Sequence, residues 1–99
     1  MYLKIHKSQD RDIIAICDSN LIGKKFSDKS GLYLDVSEGF YRGKEVSEEE
    51  AFKVVKEGKN NSSIFNIVGK KSIDFALKNG IIEKENIVKI NNIPHAQSI

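Results

Sequence analysis

The sequence predicts an α+β fold, in which one small domain builds a mixed sheet with two helices. Three observations support this prediction: an alternating N-terminal segment that suits a β-hairpin, a short and very apolar run at residues 64–68, and two amphipathic segments with helix end signals. The expected order is an N-terminal antiparallel hairpin and a third strand, followed by helix, strand, helix and strand. A chain of 99 residues buries enough surface for one domain, so we assign residues 1–99 to a single unit.

The N-terminal hairpin is predicted from residues 2–7 and 12–17, which flank a short polar loop. If residue 7 pairs with residue 12, one face of the hairpin is apolar and carries Leu3, Ile5, Ile14 and Ile16. The same register separates His6 from Cys17 by about 14 Å along the ladder, which is too far for a thiol–imidazole pair. Cys17 is therefore predicted to be a small, part-buried strand residue.

A third strand and the first helix are predicted in the middle of the chain. Residues 32–36 are typical of a strand. Ser47 and Glu50 have the spacing of a capping box, so a helix should begin there, and Gly58 should end it. Acidic residues open this helix and lysines close it, which agrees with the direction of the helix dipole.

The apolar run at residues 64–68 favours a central strand that is covered on both faces. Gly69 breaks this strand, and an amphipathic helix follows until Gly80. Residues 87–90 are predicted to form a strand parallel to that at residues 64–68, and the helix between them would make a right-handed crossover. Both helices are expected on one face of the sheet. The other face is expected to be covered in one of two ways. Either a dimer partner packs on it, or the C-terminal tail, residues 91–99, folds back over it.

Composition and charge narrow the class of protein. The 39% apolar and 30% charged content is that of a globular domain, and no apolar run approaches the length of about 18 residues that a membrane span requires. A single cysteine suits a reducing compartment, and the N-terminus lacks the apolar core of a signal peptide, so we expect a cytoplasmic protein. The net charge of +2 does not by itself indicate nucleic-acid binding, and the presence of only two arginines weakens the case for base-specific recognition.

One predicted helix start departs from the usual charge pattern. Gly69 is followed by Lys70 and Lys71, although the free N–H groups and the dipole of a helix N-terminus favour negative charge. A glycine turn, free amides and two ammonium groups are together what an anion or phosphate site requires. The alternative is that both lysines are simply solvated, as exposed lysines usually are. The glycine patterns of nucleotide-binding loops are absent from the sequence.

Two further segments have the composition of a nucleic-acid site. The segment Gly23-Lys24-Lys25 follows two apolar residues and so repeats the pattern around Lys70, although coincidence explains this equally in a lysine-rich chain. Tyr41 and Arg42 lie between two glycines, which suits the stacking of bases on a flexible loop. The alternative for this second segment is that an aromatic side chain closes the edge of the core.

Five short segments, taken in order, resemble a small archaeal family of conserved proteins that is known only as a domain of unknown function. The segments are Cys17-Asp18, Leu21 with Gly23-Lys24, Phe40-Tyr41 with Gly43, Asn66-Ile67-Val68-Gly69 and Pro94-His95-Ala96-Gln97. The resemblance covers nearly the whole chain and implies a stand-alone, cytoplasmic archaeal domain with a role linked to translation. It implies no activity, cofactor or catalytic residue. Lys70 departs from the family, in which this position is not consistently basic, so the resemblance favours an anion site built on the Gly69 amides.

We therefore hypothesise a non-enzymatic module that binds RNA or a ribonucleoprotein. The expected binding residues are Gly23, Lys24, Lys25, Tyr41, Arg42, Gly69, Lys70 and Lys71. The first alternative is an enzyme or small-molecule binder that holds a phosphate or carboxylate at the Gly69 turn, with Asp18 or His95 as acid or base. The second alternative is a protein-interaction module that uses the acidic helix, residues 47–57.

The sequence carries no metal or cofactor signature. The spacing of His6, Cys17 and His95 matches no zinc motif, and no paired-carboxylate pattern is present. We expect no metal, no cofactor and no catalytic residue. The expected partners are RNA or a ribonucleoprotein and, as a second copy, the chain itself, but not a membrane.

Overall fold

The computed structural model describes residues 1–98, which form a six-stranded sheet, a separate two-stranded ribbon and three α-helices. The strands of the large sheet are β1 (Tyr2–His6), β2 (Ile13–Cys17), β5 (Lys44–Glu45), β6 (Ile64–Val68), β7 (Ile87–Ile90) and β8 (Ile93–Ser98). The strands of the ribbon are β3 (Lys25–Ser27) and β4 (Tyr33–Asp35). The helices are α1 (Glu38–Tyr41), α2 (Glu48–Asn60) and α3 (Lys70–Lys78). Two 3₁₀ turns are Ser19–Leu21 and Lys84–Asn86.

The large sheet is mixed, with the strand order β5-β1-β2-β6-β8-β7. The neighbours β2 and β6 are parallel, whereas the other four neighbouring pairs are antiparallel. The predicted α+β class, with a mixed sheet and two main helices, is therefore confirmed. The two parallel strands lie at the centre of the sheet, where both of their edges are paired.

The hairpin of β1 and β2 has the predicted register, with Tyr2 opposite Cys17 and His6 opposite Ile13. Cys17 is fully buried rather than part-buried. The predicted apolar face is correct except at Ile5, whose side chain is 42% exposed. Ile5 is exposed because β5 has two residues and pairs only with the start of β1, so no strand lies beside Ile5 on its outer side.

The C-terminal tail was predicted to cover the sheet. Instead it forms β8, one of the interior strands of the sheet. β8 lies between β6 and β7 and pairs with both. β6 and β7 run in the same direction, as predicted, but β8 separates them in the sheet. Asn91 and Asn92 have positive φ angles of 49° and 65°, which make the tight turn from β7 into β8. A single residue type, asparagine, supplies this turn without glycine.

Proline is tolerated inside β8 because of its position. The carbonyl of Pro94 accepts a hydrogen bond of 2.9 Å from the Gly69 N–H, so the missing N–H of Pro94 faces the end of β6. β6 ends at Val68, opposite His95, so Pro94 lies beyond the end of β6. No carbonyl of β6 therefore needs the N–H that proline lacks. Pro94 therefore costs the sheet no ladder hydrogen bond.

Two apolar clusters lie on opposite faces of the sheet. The first face is covered by α2 and α3, and its buried side chains include Ile16, Val55, Phe65, Ile67 and Ala76. The second face is covered by the segment between β2 and β5, and its buried side chains include Cys17, Leu34, Val36, Tyr41 and Val68. Both faces of β6 are therefore buried within one chain, as the apolar run predicted. The cover is residues 19–41 and not the tail, and the homodimer stays a prediction.

The third strand is present but lies outside the large sheet. Residues 33–35 form β4, which pairs with β3 in the ribbon. The ribbon packs on the second face through Leu34 and Phe26. The predicted third strand is therefore present, but it pairs with β3, a strand that the sequence did not distinguish from a loop.

The helix α2 continues past Gly58 to Asn60, so Gly58 does not end it as predicted. The capping box of Ser47 and Glu50 is formed, as predicted. Gly58 is buried against the sheet, where a Cβ atom would lie 2.5 Å from Ile14 Cδ1 and 3.2 Å from Phe65 Cζ. Glycine is used here because it lets the last turn of α2 approach the sheet closely.

We predict that Gly58→Ala destabilises the protein, although alanine is the better helix former. Overpacking a buried contact typically costs about 1–3 kcal/mol, which exceeds the gain of about 1 kcal/mol from helix propensity. The free energy of unfolding in urea measures the difference. The control is Gly39→Ala in α1, where a Cβ atom would meet nothing within 4 Å and stability should be unchanged or higher. Equal effects of the two substitutions would contradict this account of Gly58.

Candidate functional site

The two lysine-bearing segments lie at the same edge of the sheet. Cys17 is opposite Val68 at the ends of the parallel strands β2 and β6, so the chain leaves both strands on the same side. Residues 18–25 follow β2, and residues 69–71 follow β6. We call the surface formed by these two segments the carboxyl edge. In open sheets with parallel strands, ligands generally bind outside the carboxyl ends of the strands.

Asp18 binds the N-terminus of α3. Its carboxylate accepts hydrogen bonds from the backbone N–H groups of Lys71 and Ser72, at 3.1 and 2.8 Å, and from the Ser72 hydroxyl at 2.8 Å. The Asp18 backbone N–H also donates to the Val68 carbonyl at 3.1 Å. A carboxylate from the end of β2 therefore supplies the negative charge that the helix dipole favours at this position.

Gly69 gives the Asp18 carboxylate room to approach. Its φ of +103° is a conformation that favours glycine, and a Cβ atom there would collide with the carboxylate of Asp18. The amides that were predicted to hold a phosphate or a carboxylate ligand are thus occupied by a carboxylate of the protein itself. The cradle predicted at the Gly69 turn is therefore wrong as an open ligand site.

The charge anomaly at the start of α3 is largely compensated within the fold. The Lys70 ammonium forms an ion pair of 2.9 Å with Asp74, one turn further along the helix. Lys71 forms no ion pair among residues 1–98. Both lysines line an open hollow of about 490 Å³ together with Met1, Asp18, Ser19 and Asn20. Lys71 is therefore the cation of this pair that is available to an external anion.

The second lysine pair is exposed in the segment that follows β2. Two hydrogen bonds of 3.1 Å, from Leu21 N–H to the Asp18 carbonyl and from Lys24 N–H to the Leu21 carbonyl, carry the chain through two successive turns. Gly23 has a φ of +80°, which allows the second of these turns. Lys24 and Lys25 are exposed and form no ion pair among the described residues.

Tyr41 is a structural residue and is not available to stack on a base. Its ring is 4% exposed, and its hydroxyl donates a hydrogen bond of 2.6 Å to the buried Asn66 Oδ1 at the centre of β6. Burial raises the pKa of Tyr41, so the hydroxyl stays protonated as the donor. The prediction that Tyr41 contacts RNA is therefore wrong. The alternative, in which an aromatic side chain closes the core, is confirmed.

Arg42 is held close to the protein surface. Its guanidinium forms an ion pair of 2.5 Å with Glu38, one turn before it, and lies 5.7 Å from the ring centroid of Tyr2. The segment that was predicted to be a flexible loop is instead α1 and its C-terminal cap. Ser37, which caps this short helix, is the sequence signal that could have identified it.

A contact between His6 and Phe40, which the sequence did not predict, lies at the other end of β2, beside Ile13. His6 and Phe40 stack with ring centroids 4.5 Å apart, and His6 Nε2 lies 2.8 Å from the Phe40 carbonyl oxygen. These contacts fix α1 on the second face of β1. No local pattern predicts them, because the two residues are 34 positions apart in the chain.

His95 and Asp18, the two alternatives for an acid or base, face different sides of the sheet. His95 lies opposite Val68 on the second face of β8, and its Nδ1 is 3.0 Å from the Ile67 carbonyl oxygen. Burial lowers the pKa of His95, so it is a neutral imidazole near pH 7. Asp18 is bound to α3, which covers the first face. The catalytic roles considered for these two residues therefore have no supporting geometry.

Among residues 1–98, no group of three or more His, Cys, Asp or Glu side chains is placed to hold a metal ion. None of the helices formed by these residues is long and apolar enough to cross a membrane.

The chain belongs to a family of proteins of unknown function. Residues 6–99 match the family described as "Protein of unknown function (DUF424)". The chain is also similar to a solved structure, the crystal structure of an uncharacterized conserved protein from Methanopyrus kandleri. The two are 28% identical, with a TM-score of 0.83 over 97% of this chain and 87% of the other. Comparison with curated proteins finds no significant match.

The sequence segments on which the family resemblance was based come together in the fold. Cys17-Asp18 and Asn66-Ile67-Val68-Gly69 end the two parallel strands, and Pro94-His95-Ala96-Gln97 lies beside the second of them in β8. Phe40-Tyr41 reaches the same place through the hydrogen bond from Tyr41 to Asn66. These segments are therefore one structural unit, whose centre is the end of β6.

We predict that Asp18→Ala destabilises the protein by about 2 kcal/mol, because two helix amides lose a charged acceptor. Sulfate ions should stabilise this variant more than the wild type, because the vacated amides at the start of α3 can then bind an anion. Urea unfolding with and without sulfate measures both effects. Asp74→Ala is the control, since Asp74 is exposed and accepts only from the Lys70 side chain. A sulfate effect equal in all three proteins would contradict the role assigned to Asp18.

Cys17 should be unreactive in the folded protein. Burial, and secondarily the negative charge of Asp18, raise the pKa of Cys17 to about 12, so the nucleophilic thiolate is almost absent at neutral pH. We predict that iodoacetamide labels Cys17 only through unfolding. The labelling rate should increase with urea in parallel with loss of structure. Rapid labelling of the native protein would show that the site is open.

Proposed function

We propose that the protein is a non-enzymatic, cytoplasmic module that binds the phosphate backbone of RNA, alone or within a ribonucleoprotein, through its carboxyl edge. One observation carries the proposal: the segments that contain the two lysine pairs, 18–25 and 69–71, leave two adjacent parallel strands on the same side of the sheet. Three of these four lysines form no ion pair among the described residues. The link to translation rests on the family resemblance alone.

The available cations favour backbone binding over recognition of bases. Lysine ammonium groups contact phosphates as point charges, whereas base recognition relies on planar, bidentate donors such as arginine. Arg42 is paired with Glu38, and the ring of Tyr41 is buried. The proposed interface therefore lacks a stacking platform, so that binding should depend strongly on salt and weakly on RNA sequence.

The enzyme alternative has less support. Its anion cradle is filled by Asp18, and His95 is placed away from that carboxylate. The acidic-helix alternative is also weakened, because Glu50 closes the capping box and Glu48 approaches Lys78 at 3.9 Å. These acidic side chains have partners within the protein.

We predict that reversing two charges at the carboxyl edge, in Lys70→Glu/Lys71→Glu, weakens binding to single-stranded RNA and flattens its salt dependence. Each phosphate contact to a single strand contributes about 0.7 to the slope of log K against log salt, so the slope should decrease by about 1.4 if both lysines contact phosphate. Fluorescence anisotropy with bulk cellular RNA, titrated at several salt concentrations, measures the slope. Lys24→Glu/Lys25→Glu should have a similar effect.

The matched control is Lys53→Glu/Lys56→Glu, which changes the same net charge on α2, away from the carboxyl edge. This control should change the slope less than either edge variant. Equal slopes for the edge and control variants would show that RNA binding depends only on the net charge of the protein, which would contradict a role for the carboxyl edge. Absence of RNA binding by the wild type at low salt would overturn the proposal.

A further inference from the structure

The outer edge of β1 is only partly paired. β5 pairs with Tyr2 and Leu3, and the Val46 N–H donates to the Met1 carbonyl at 2.8 Å. Because hydrogen-bonding direction alternates along a strand, Met1, Leu3 and Ile5 direct their N–H and C=O groups outward, away from β2. Among residues 1–98, the outward N–H and C=O of Ile5 have no hydrogen-bond partner. The sheet therefore has an open edge at Ile5.

An apolar groove lies beside this open edge on the first face. The exposed side chain of Ile5 lines a hollow of about 600 Å³ between β1 and α2. A second, more polar hollow of about 260 Å³ shares Ile5 and Val54 with the first and is also lined by Lys7, Asp12 and Glu57. Free backbone groups and an apolar groove on one side are the two features to which an extended peptide binds by strand addition.

The usual protection of an exposed edge is missing here. Edge strands are commonly blocked by lysine side chains and other charged groups. The Lys4 ammonium instead donates to the Gly39 carbonyl at 2.6 Å, and His6 contacts the Phe40 carbonyl, so both side chains are held on the second face by α1. The Lys4 ammonium and the His6 ring are therefore bound on the second face, although Lys4 also lines the first hollow and Lys7 lines the second.

We propose that a partner protein binds here by adding an extended segment as a strand antiparallel to β1, in line with β5. The added strand would accept a hydrogen bond from the Ile5 N–H and donate one to the Ile5 carbonyl. Its C-terminal end would lie beside Gly43. Gly43 packs so closely on Leu3 and Lys4 that a Cβ atom there would collide with the Leu3 carbonyl oxygen. Every second side chain of the segment should be apolar and enter the groove.

The charges around the groove specify one end of the segment. The part of the groove near β5 is lined by Lys44 and Lys53 and by a single acid, Glu50, which lies 3.8 Å from Lys44. Lys53 forms no ion pair among the described residues. An antiparallel segment presents its C-terminal end to this part. The partner segment should therefore carry an acidic side chain at that end.

A second copy of this chain fits the same edge less well. In each copy β5 already covers the outward groups of Leu3, so only residues 5–7 of two β1 strands could pair. This pairing would place His6 opposite itself and Lys7 beside the partner strand, close to the symmetry axis. A peptide pairs with the same short part of β1, but because it has no β5 of its own it can extend along the groove on both sides of that part.

The test is selection of linear peptides from a random phage-displayed library on the full chain, with counter-selection on Ile5→Lys. We expect selected peptides to alternate apolar and polar residues and to end in an acidic residue. Their affinity should fall about tenfold or more on Ile5→Lys, as a lost anchor of about 1.4 kcal/mol implies. Lys53→Glu should weaken binding several-fold, whereas its neighbour on the outer side of α2, Lys56→Glu, should not.

Backbone methylation of a selected peptide tests the strand geometry on the unaltered protein. N-methylation of the amides that face β1 should abolish binding, whereas N-methylation of the alternate amides should be tolerated. Tolerance of both patterns, or selection of no peptide that distinguishes wild type from Ile5→Lys, would overturn the proposal. A dimer in sedimentation that Ile5→Lys converts to monomer would also overturn it, since a second copy would then be the occupant. RNA binding by Ile5→Lys should be unchanged, which separates this proposal from the proposed function.

Discussion

The hydrogen bonds between Asp18 and the N-terminus of α3 hold the centre of this structure together. They connect the end of β2 with the start of the helix that follows β6, and these two strands form the parallel pair on which the sheet is built. Hydrogen bonds to an ionised acceptor are worth about 1.5–3 kcal/mol, a large part of the stability of a small domain. Gly69 is required at this junction, because any side chain there would occupy the space of the carboxylate. The position of the carboxyl edge therefore follows from this one contact.

The second face of the sheet is the other feature that organises the molecule. A six-stranded sheet with α2 and α3 on one side would expose Cys17 and Val68 on the other, and residues 19–41 remove this exposure. The hydrogen bond from Tyr41 to Asn66 satisfies the one polar side chain buried at the centre of that face. The same covering segment carries Lys24 and Lys25 to the carboxyl edge. Closing the core and placing the second lysine pair are thus achieved by one insertion between β2 and β5.

Several elements could be predicted because their signals are local. The hairpin register follows from the alternation of apolar residues, and the capping box of Ser47 and Glu50 and the αL glycine at Gly80 are contained within a few residues. The elements that were mistaken depend on distant residues. Glycine commonly ends a helix. In this protein Gly58 lies inside α2, and its lack of a side chain lets the helix pack against Ile14 and Phe65. The sequence predicts a tail that folds back, but pairing of β8 with β6 joins residues about thirty positions apart, such as Ile67 and Ala96, which no local pattern relates.

The candidate site divides in the same way. The sequence identified the lysines and Gly69 correctly as an unusual helix start, but the compensating charge, Asp18, lies more than fifty residues earlier in the chain. It could not show that Tyr41 is buried on Asn66, or that β5 is too short to cover Ile5. By itself the sequence determined the type of each local element, because caps, turns and side-chain periodicity act over a few residues. Only the tertiary structure decided which strands are neighbours and which polar groups remain free, because pairing across the sheet joins residues that no local pattern relates.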